Sequence, residues 1–482
     1  MRFRGMIMPS DKNFSLTIDT ELSPIKFKGL LEFINEAYLK KDNSYNNIQI
    51  YDSDGAPTLS FIKVDPEHKW SFNIIVRTGT PISVTIGIKD EPVPESVIEK
   101  LKDDLFLLVQ LFEEKARRST IYFAWVEGER IIPERYSTKG KSTVIRIFSE
   151  SMLLFYVVFI IASVLLFSIF GLYAPIILVT FQLILVLLSG KIIERTGEWK
   201  ITKENPKVTI LQYQLPIEDI KDFFKQHGQE VLIKIKKEIY DKTLLQGRPV
   251  DCDAAREVFS KYNLQCLHEG MSVKTINVYE IVKKGAEKFN IKVPKIVVSP
   301  IQVPNAAAAG PGPRFGTMLI TTGLLIQLKE DEILGVVGHE LSHIKGRDTL
   351  AFFGLMSSEF ILRFYIFYPL LMLFGIFYLI LAFTVVYFIA KFFESKADLE
   401  SAIRIGQPKA LAEALKKIGF IKLLYSQTSP SQIQEWLSFE PHPPIYFRIR
   451  RLESLERPEE IKHPLLRSMK DNILGFTSLL KK

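Results

Sequence analysis

The chain has 482 residues, 47% of them hydrophobic and 12% aromatic, yet 24% charged, with a formal net charge of +8. That length exceeds one ordinary core and calls for two or three domains, and the mixture suits soluble domains joined to membrane segments. No Lys/Arg block interleaved with aromatics exists, which argues against a nucleic-acid partner, and two cysteines, Cys252 and Cys266, rule out a disulfide framework or cysteine zinc knuckle; they fit a reducing compartment while leaving room for one bridge.

Residues 1–147 read as a soluble α+β domain. The opening MRFRGMIMPSDKN lacks the apolar run of a signal peptide. FNIIVRTG (72–79) and ISVTIGIKD (82–90) alternate as strands do, whereas 23–41 and 94–119 carry helical spacing, the latter opened by Pro94. The domain holds one histidine, His68, and no catalytic grouping, so it is read as a regulatory or interaction module.

Residues 148–192 are predicted as a first transmembrane hairpin: Met152–Leu188 has no charged residue and is broken by GLYAP at 171–175. A peptidase domain is expected in two parts, 193–348 and 391–482, separated by a second hairpin over 349–390 that turns at Tyr368-Pro369. In that hairpin Glu359 and Arg363 stand four apart and are read as neutralising each other. Lys139, Lys141, Arg146, Lys191 and Arg195 flank the first hairpin; Lys345, Arg347, Lys391 and Lys396 flank the second, and neither turn is charged. The positive-inside rule then puts both turns outside and every soluble segment in the cytoplasm of a multipass cell-membrane protein. Residues 204–300 read as mostly helical, with His227 and His268 as surface residues. PKIVVSP, PNAAAAG and GTMLITTGLL are three short strand-like pieces leading into GVVGHELSHIKGRDT (335–349).

That last segment has helical character: Ile333, Leu334, Val337, Leu341 and Ile344 form an apolar stripe, and Glu330, Asp331 and Glu332 sit where the helix dipole favours acids. His339 and His343 share a face one turn apart and can grip one ion, for which zinc is suited. Glu340 is placed to take a proton from water and return it to a leaving amine. With seven histidines a chance HExxH is uncommon but not negligible, so a third ligand is needed. The extended form HExxHxxGxxH fails at Thr349, and Asp348 misses that position by one. A membrane hairpin, however, returns the chain close to where it left, and there KFFESKADLESA offers Glu394 and Asp398 one turn apart. Glu394 as ligand, with Asp398 bonding a ligating imidazole, accounts for two adjacent carboxylates; the alternative is a solvated helix on which acids are ordinary.

PNAAAAG (304–310), GHELSHIKGRDT (338–349), the following hairpin, ESKAD (394–398) and HPPIYFRI (442–449), in that order, resemble the HtpX-like membrane zinc peptidases and their CAAX prenyl protease relatives. The resemblance covers about 290–450 and implies His339, His343 and Glu394 as ligands of Zn2+ with Glu340 as general base. It implies a mostly helical α+β fold with a gluzincin-like HExxH helix and short edge strands. Peptide substrates, membrane proteins under quality control, are implied as well. Asn305 and Ala306, Ala307, Ala308 and Ala309 would then offer an edge to which an extended substrate adds a strand, where an ordinary loop is the other reading. His442 or Arg448 would steady the tetrahedral oxyanion, against a merely structural turn; His463 has no such argument. The competing function is a membrane-anchored regulator or scaffold with a structural or vestigial zinc site; a transporter is disfavoured because three of the four spans carry no charge.

Overall fold

The computed structural model describes residues 12–480 except His68, 89–92, 134–160, 162, 229 and 426–428. The described chain is mostly helical with mixed sheets, and it divides into two compact units, Met1–Phe123 with Ile210–Lys274, and Ala124–Thr209 with Thr275–Lys482. Residues 210–274, expected within the peptidase part, thus pack with the N-terminal unit. A three-stranded sheet has the order β6-β8-β9, from β6 (Thr120–Val126), β8 (Lys207–Gln214) and β9 (Met271–Asn277).

The first unit carries an antiparallel five-stranded sheet, order β1-β5-β4-β3-β2, from β1 (Lys12–Ile18), β2 (Tyr45–Ser53), β3 (Ala56–Val64), β4 (Ser71–Arg77) and β5 (Ile82–Ile88). Every second residue of β4 and β5 is buried, so one face meets α1 (Phe27–Ala37) and α2 (Glu95–Arg117). Leu30, Leu31, Ile34, Ile98, Leu101 and Leu105 close over Leu59, Phe61, Ile74, Val84 and Ile86 there. His68, the histidine of that segment, lies outside the described residues. Among the described residues three helices complete the unit, α4 (Ile217–His227), α5 (Val231–Lys242) and α6 (Cys252–Ser260); α3 (Ala174–Thr196), earlier in chain order, belongs to the other unit. Cys252 and Cys266 form a disulfide. His268 is exposed as expected, but His227 is half-buried, its ring packed against Phe223 and Tyr262.

The second unit holds a four-stranded sheet, order β11-β12-β10-β7: β7 (Trp199–Ile201), β10 (Lys295–Ser299), β11 (Ala306–Ala309) and β12 (Thr317–Thr321). Of its pairings β10 with β12 is parallel, and β11 is an edge strand antiparallel to β12. The HExxH segment is α9 (Glu330–Gly346), preceded by α7 (Val278–Phe289) and α8 (Thr322–Gln327), and all five residues of its apolar stripe are buried.

Among the described residues two helical stretches are long and apolar enough to cross a membrane, Ser163–Arg195 and Ile376–Ile405, and a bent pair makes up to three. The first contains α3 (Ala174–Thr196) and a 3-10 turn at Gly171–Tyr173, within the GLYAP segment. The start of the first hairpin at 152–160, with Lys139, Lys141 and Arg146, lies outside the described residues. The second apolar stretch departs from a single turn at Tyr368-Pro369. Helix α10 (Asp348–Tyr365) meets α11 (Tyr368–Phe374) at 81°, and Gly375, with φ 52°, separates α11 from α12 (Ile376–Ile405). Glycine accepts that left-handed backbone without a Cβ clash, so the reversal uses two breaks rather than one. Arg363 donates to Glu359 within α10, and the guanidinium lies over Phe360 and Phe383. Beyond α12 come α13 (Pro408–Tyr425), α14 (Ser429–Leu437), α15 (Ile445–Glu453) and α16 (Pro464–Leu479).

Candidate active site

The sequence GVVGHELSH gives α9 a small-residue flank on which other helices close. A Cβ on Gly338 would stand 2.5 Å from Ser401 Oγ, and one on Gly335 would stand 3.2 Å from the Leu411 side chain. Ser401 Oγ donates to the Gly335 carbonyl at 2.8 Å, and Ser342 Oγ donates to Glu400 at 2.7 Å. These contacts hold α12 against α9 and bring a carboxylate 50-odd positions later in the chain to the two imidazoles.

One ligand atom each from His339, His343 and Glu394 lies within 4.8 Å of the others. His343 Nε2 faces His339 Nε2 at 3.2 Å; Glu394 Oε2 lies 3.4 Å from His339 Nε2, and Oε1 lies 3.5 Å from His343 Nε2. Glu394 Oε2 is buried and makes no hydrogen bond, although His442 Nε2 is also 3.2 Å away. A buried carboxylate oxygen without a donor is costly. Two imidazole nitrogens and one carboxylate around such an orphan fit a zinc-type cation, which takes three protein ligands and keeps one position open.

Each histidine is backed by an acid that is itself neutralised. His339 Nδ1 lies 2.8 Å from Asp398 Oδ1, and Arg448 grips both Asp398 oxygens at 2.7 and 2.8 Å. His343 Nδ1 lies 2.9 Å from Asp348 Oδ2, and Lys396 Nζ donates to both Asp348 oxygens at 2.6 and 2.8 Å. Such partners fix the tautomer and ring orientation of ligating histidines. Burial alone would lower the pKa of His339, but Asp398 and Glu394 outweigh it and push it up to about 10. His343 moves upward too: burial opposes this, and Glu394 and Asp348 prevail. The field that draws protons onto these rings without a metal is the field that draws a cation in.

Glu340 is half-buried at the same site, and burial raises its carboxyl above the usual range although both histidines pull it down. The backbone of Ala308, on β11, pulls it down slightly as well. Asn305 leads into that edge strand; its backbone N–H donates to Thr321 Oγ1 at 2.9 Å and its carbonyl accepts from the Thr321 backbone N–H at 3.0 Å. Of the two candidate oxyanion donors, His442 is half-exposed beside Glu394, while Arg448 is buried with its guanidinium on Asp398.

Sequence reasoning missed three contributors. Asp348 was weighed only as a metal ligand, whereas it serves His343 from behind. Its partner Lys396 was read only as a flanking charge. Gly346 makes room for both: a Cβ there would come within 2.5 Å of Asp348 Oδ1 and of Lys396 Nζ. The third, Lys391, is fully buried one turn before Glu394 and donates to the carbonyls of Ser438 and Glu440, in the loop that carries His442. A lysine buried at the end of an apolar run was the available signal, since such a group needs partners.

Comparison with known proteins agrees with this geometry. Residues 272–456 match the model of peptidase family M48. A Protease HtpX homolog from Methanopyrus kandleri is 34% identical over 220 residues, which is 38% of this chain and 68% of the relative. One from Campylobacter concisus is 32% identical over 219 residues, 38% of this chain and 75% of the relative. One from Pyrococcus abyssi is 43% identical over 93 residues, 19% of this chain and 31% of the relative. The chain belongs to peptidase family M48, as an HtpX-like member.

Proposed function

We propose that the chain is a zinc-dependent membrane endopeptidase that cleaves peptide bonds of membrane proteins in quality control, with its site on the cytoplasmic side. The observation that carries this reading is the orphaned, buried Glu394 Oε2 among His339, His343 and Glu340. His339, His343 and Glu394 would hold the zinc ion, which when bound supplies Lewis acidity toward a carbonyl and a water. Asp398 and Asp348 orient the two imidazoles. Glu340 takes a proton from the attacking water and later delivers it to the departing amine; burial raises its pKa in the direction that favours holding that proton. An extended substrate lies along Ala306–Ala309, its main chain bonded to the exposed edge of β11. His442, half-exposed beside Glu394, is placed to donate to the developing oxyanion.

The orientation rests on the Lys and Arg residues that flank both apolar stretches while the turns carry none. Residues 1–147, whose sequence holds no recognisable catalytic grouping, act as a regulatory or interaction module.

Replacing Glu340 with Gln tests the assignment. Metal content should stay at the wild-type level while peptide cleavage falls by several orders of magnitude. Cleavage at the wild-type rate would refute the general-base role, and a site that is merely structural would leave the cellular phenotype of the variant unchanged.

A further inference from the structure

We propose that helix α16 and the loop after α14 are embedded in the bilayer, so that the rim of the active site is a lipid-contacting surface. This rests on the reading of α12 as membrane-spanning, and it concerns segments whose sequence gave no membrane signal. Helix α16 also lies beyond residues 272–456, the part matched to the family.

Helix α16 runs antiparallel to α12, and its contacts set its depth. Asn472 Nδ2 donates to the Lys391 carbonyl at 3.0 Å and its Oδ1 accepts from Ser395 Oγ at 2.7 Å. One turn on, the ring of Phe476 packs 5.7 Å from that of Phe388. A further turn, about 6 Å along the axis, carries Leu480 to the level of Thr384, inside the apolar run. The loop reaches equally deep, because the Phe439 ring packs 6.2 Å from Phe383 and 6.0 Å from Tyr387. The large side chains these segments turn outward include apolar ones: Leu474 is 54% exposed, Leu480 61% and Phe439 50%, continuous in depth with Leu381 of α12 at 65%. Exposed polar groups beside these are Ser478, whose hydroxyl donates to the Gly475 carbonyl, Glu440, paired with Lys422, and His442. Lys470, exposed one turn before Leu474, stands at the height where a side chain snorkels to phosphates. Acyl chains are the occupant that this continuity selects. Because Lys391 ties the same loop to the metal-site helix, a substrate approaching His442 passes along the membrane surface.

Nitroxide labels on single cysteines test this in full-length protein reconstituted into phosphatidylcholine–phosphatidylglycerol vesicles. Cys252 and Cys266 stay paired, and unsubstituted protein serves as the labelling blank. Labels at Leu474→Cys, Leu480→Cys and Phe439→Cys should collide several-fold more with oxygen than with a water-soluble nickel chelate, as Leu381→Cys does; Leu245→Cys, in the first unit, should do the reverse. Patch positions that behave like Leu245 while Leu381 reads lipid overturn the proposal alone. A water-like Leu381 overturns the spanning reading and the proposal with it. Dipolar broadening at Leu474 that vanishes on dilution with unlabelled protein would mean a second copy covers the face, which also overturns it. Leu474 and Leu480 point outward, so their variants keep the test decisive should Phe439→Cys disturb the loop.

Discussion

Asp348 Oδ2 lies 2.9 Å from Nδ1 of His343, and Lys396 closes on both oxygens of the same carboxylate. The arrangement repeats, on the other imidazole, what Asp398 and Arg448 do for His339. Asp348→Asn should lower metal affinity about 10–100-fold, the usual cost of losing such a partner. Competition with a chelator measures it, and far-ultraviolet circular dichroism should be unchanged.

Metal loading should release protons. His339 without metal has its pKa pushed up to about 10, so at neutral pH it holds a proton that the cation must displace. Apparent metal affinity should therefore rise as pH increases toward 10, about tenfold per unit for each proton displaced, and fall on acidification. Calorimetric titration in two buffers of different ionisation enthalpy counts the protons; a count of zero at pH 7.5 would contradict the field described for the site.

Gly338→Ala should destabilise the second unit by about 1–3 kcal/mol, since overpacking forces side chains and backbone to shift. The added methyl would stand 2.5 Å from Ser401 Oγ and 2.7 Å from Ile405 Cγ1. As α9 and α12 separate, metal should be lost with stability. Thermal unfolding and zinc content on the same preparation check both.

Lys391→Met leaves two carbonyls of the His442 loop without their donor. Turnover should fall while zinc stoichiometry stays near wild type, and Lys391→Arg should restore part of it. An equal loss of metal and turnover would place Lys391 among the groups that merely hold α12 together.

The sequence made legible whatever was periodic or local. The stripe on α9, the paired acids on α12 and the alternation in β4 and β5 each bear on one element and its immediate burial. Return of Glu394 to His339 was also inferable, because a chain that crosses a membrane and comes back has little freedom in where it emerges. Relations between distant side chains were not. Asp348 looks like a failed ligand until its carboxylate is seen behind His343, and Lys391 looks like a flanking charge until its ammonium is seen on two carbonyls. The changes of unit at 123/124, 209/210 and 274/275 carry no mark in composition, so the sequence offers no boundary there. His227 was misplaced on the surface because Phe223 and Tyr262, which flank its ring, lie 4 and 35 positions away, the second beyond any local pattern.

If an extended substrate adds to β11 as proposed, the four alanines of that edge strand set what the site can discriminate. Ala306–Ala309 present backbone donors and acceptors but no side chain beyond a methyl. A segment laid on such an edge, as proposed, would be accepted for being extended, whatever its residues. Helical membrane segments hide their own backbone groups and cannot dock; the same segments, once unravelled, can. Under the proposed strand addition, selection would fall on the conformational state of the client, and loss of structure would be the signal that marks a protein for cutting.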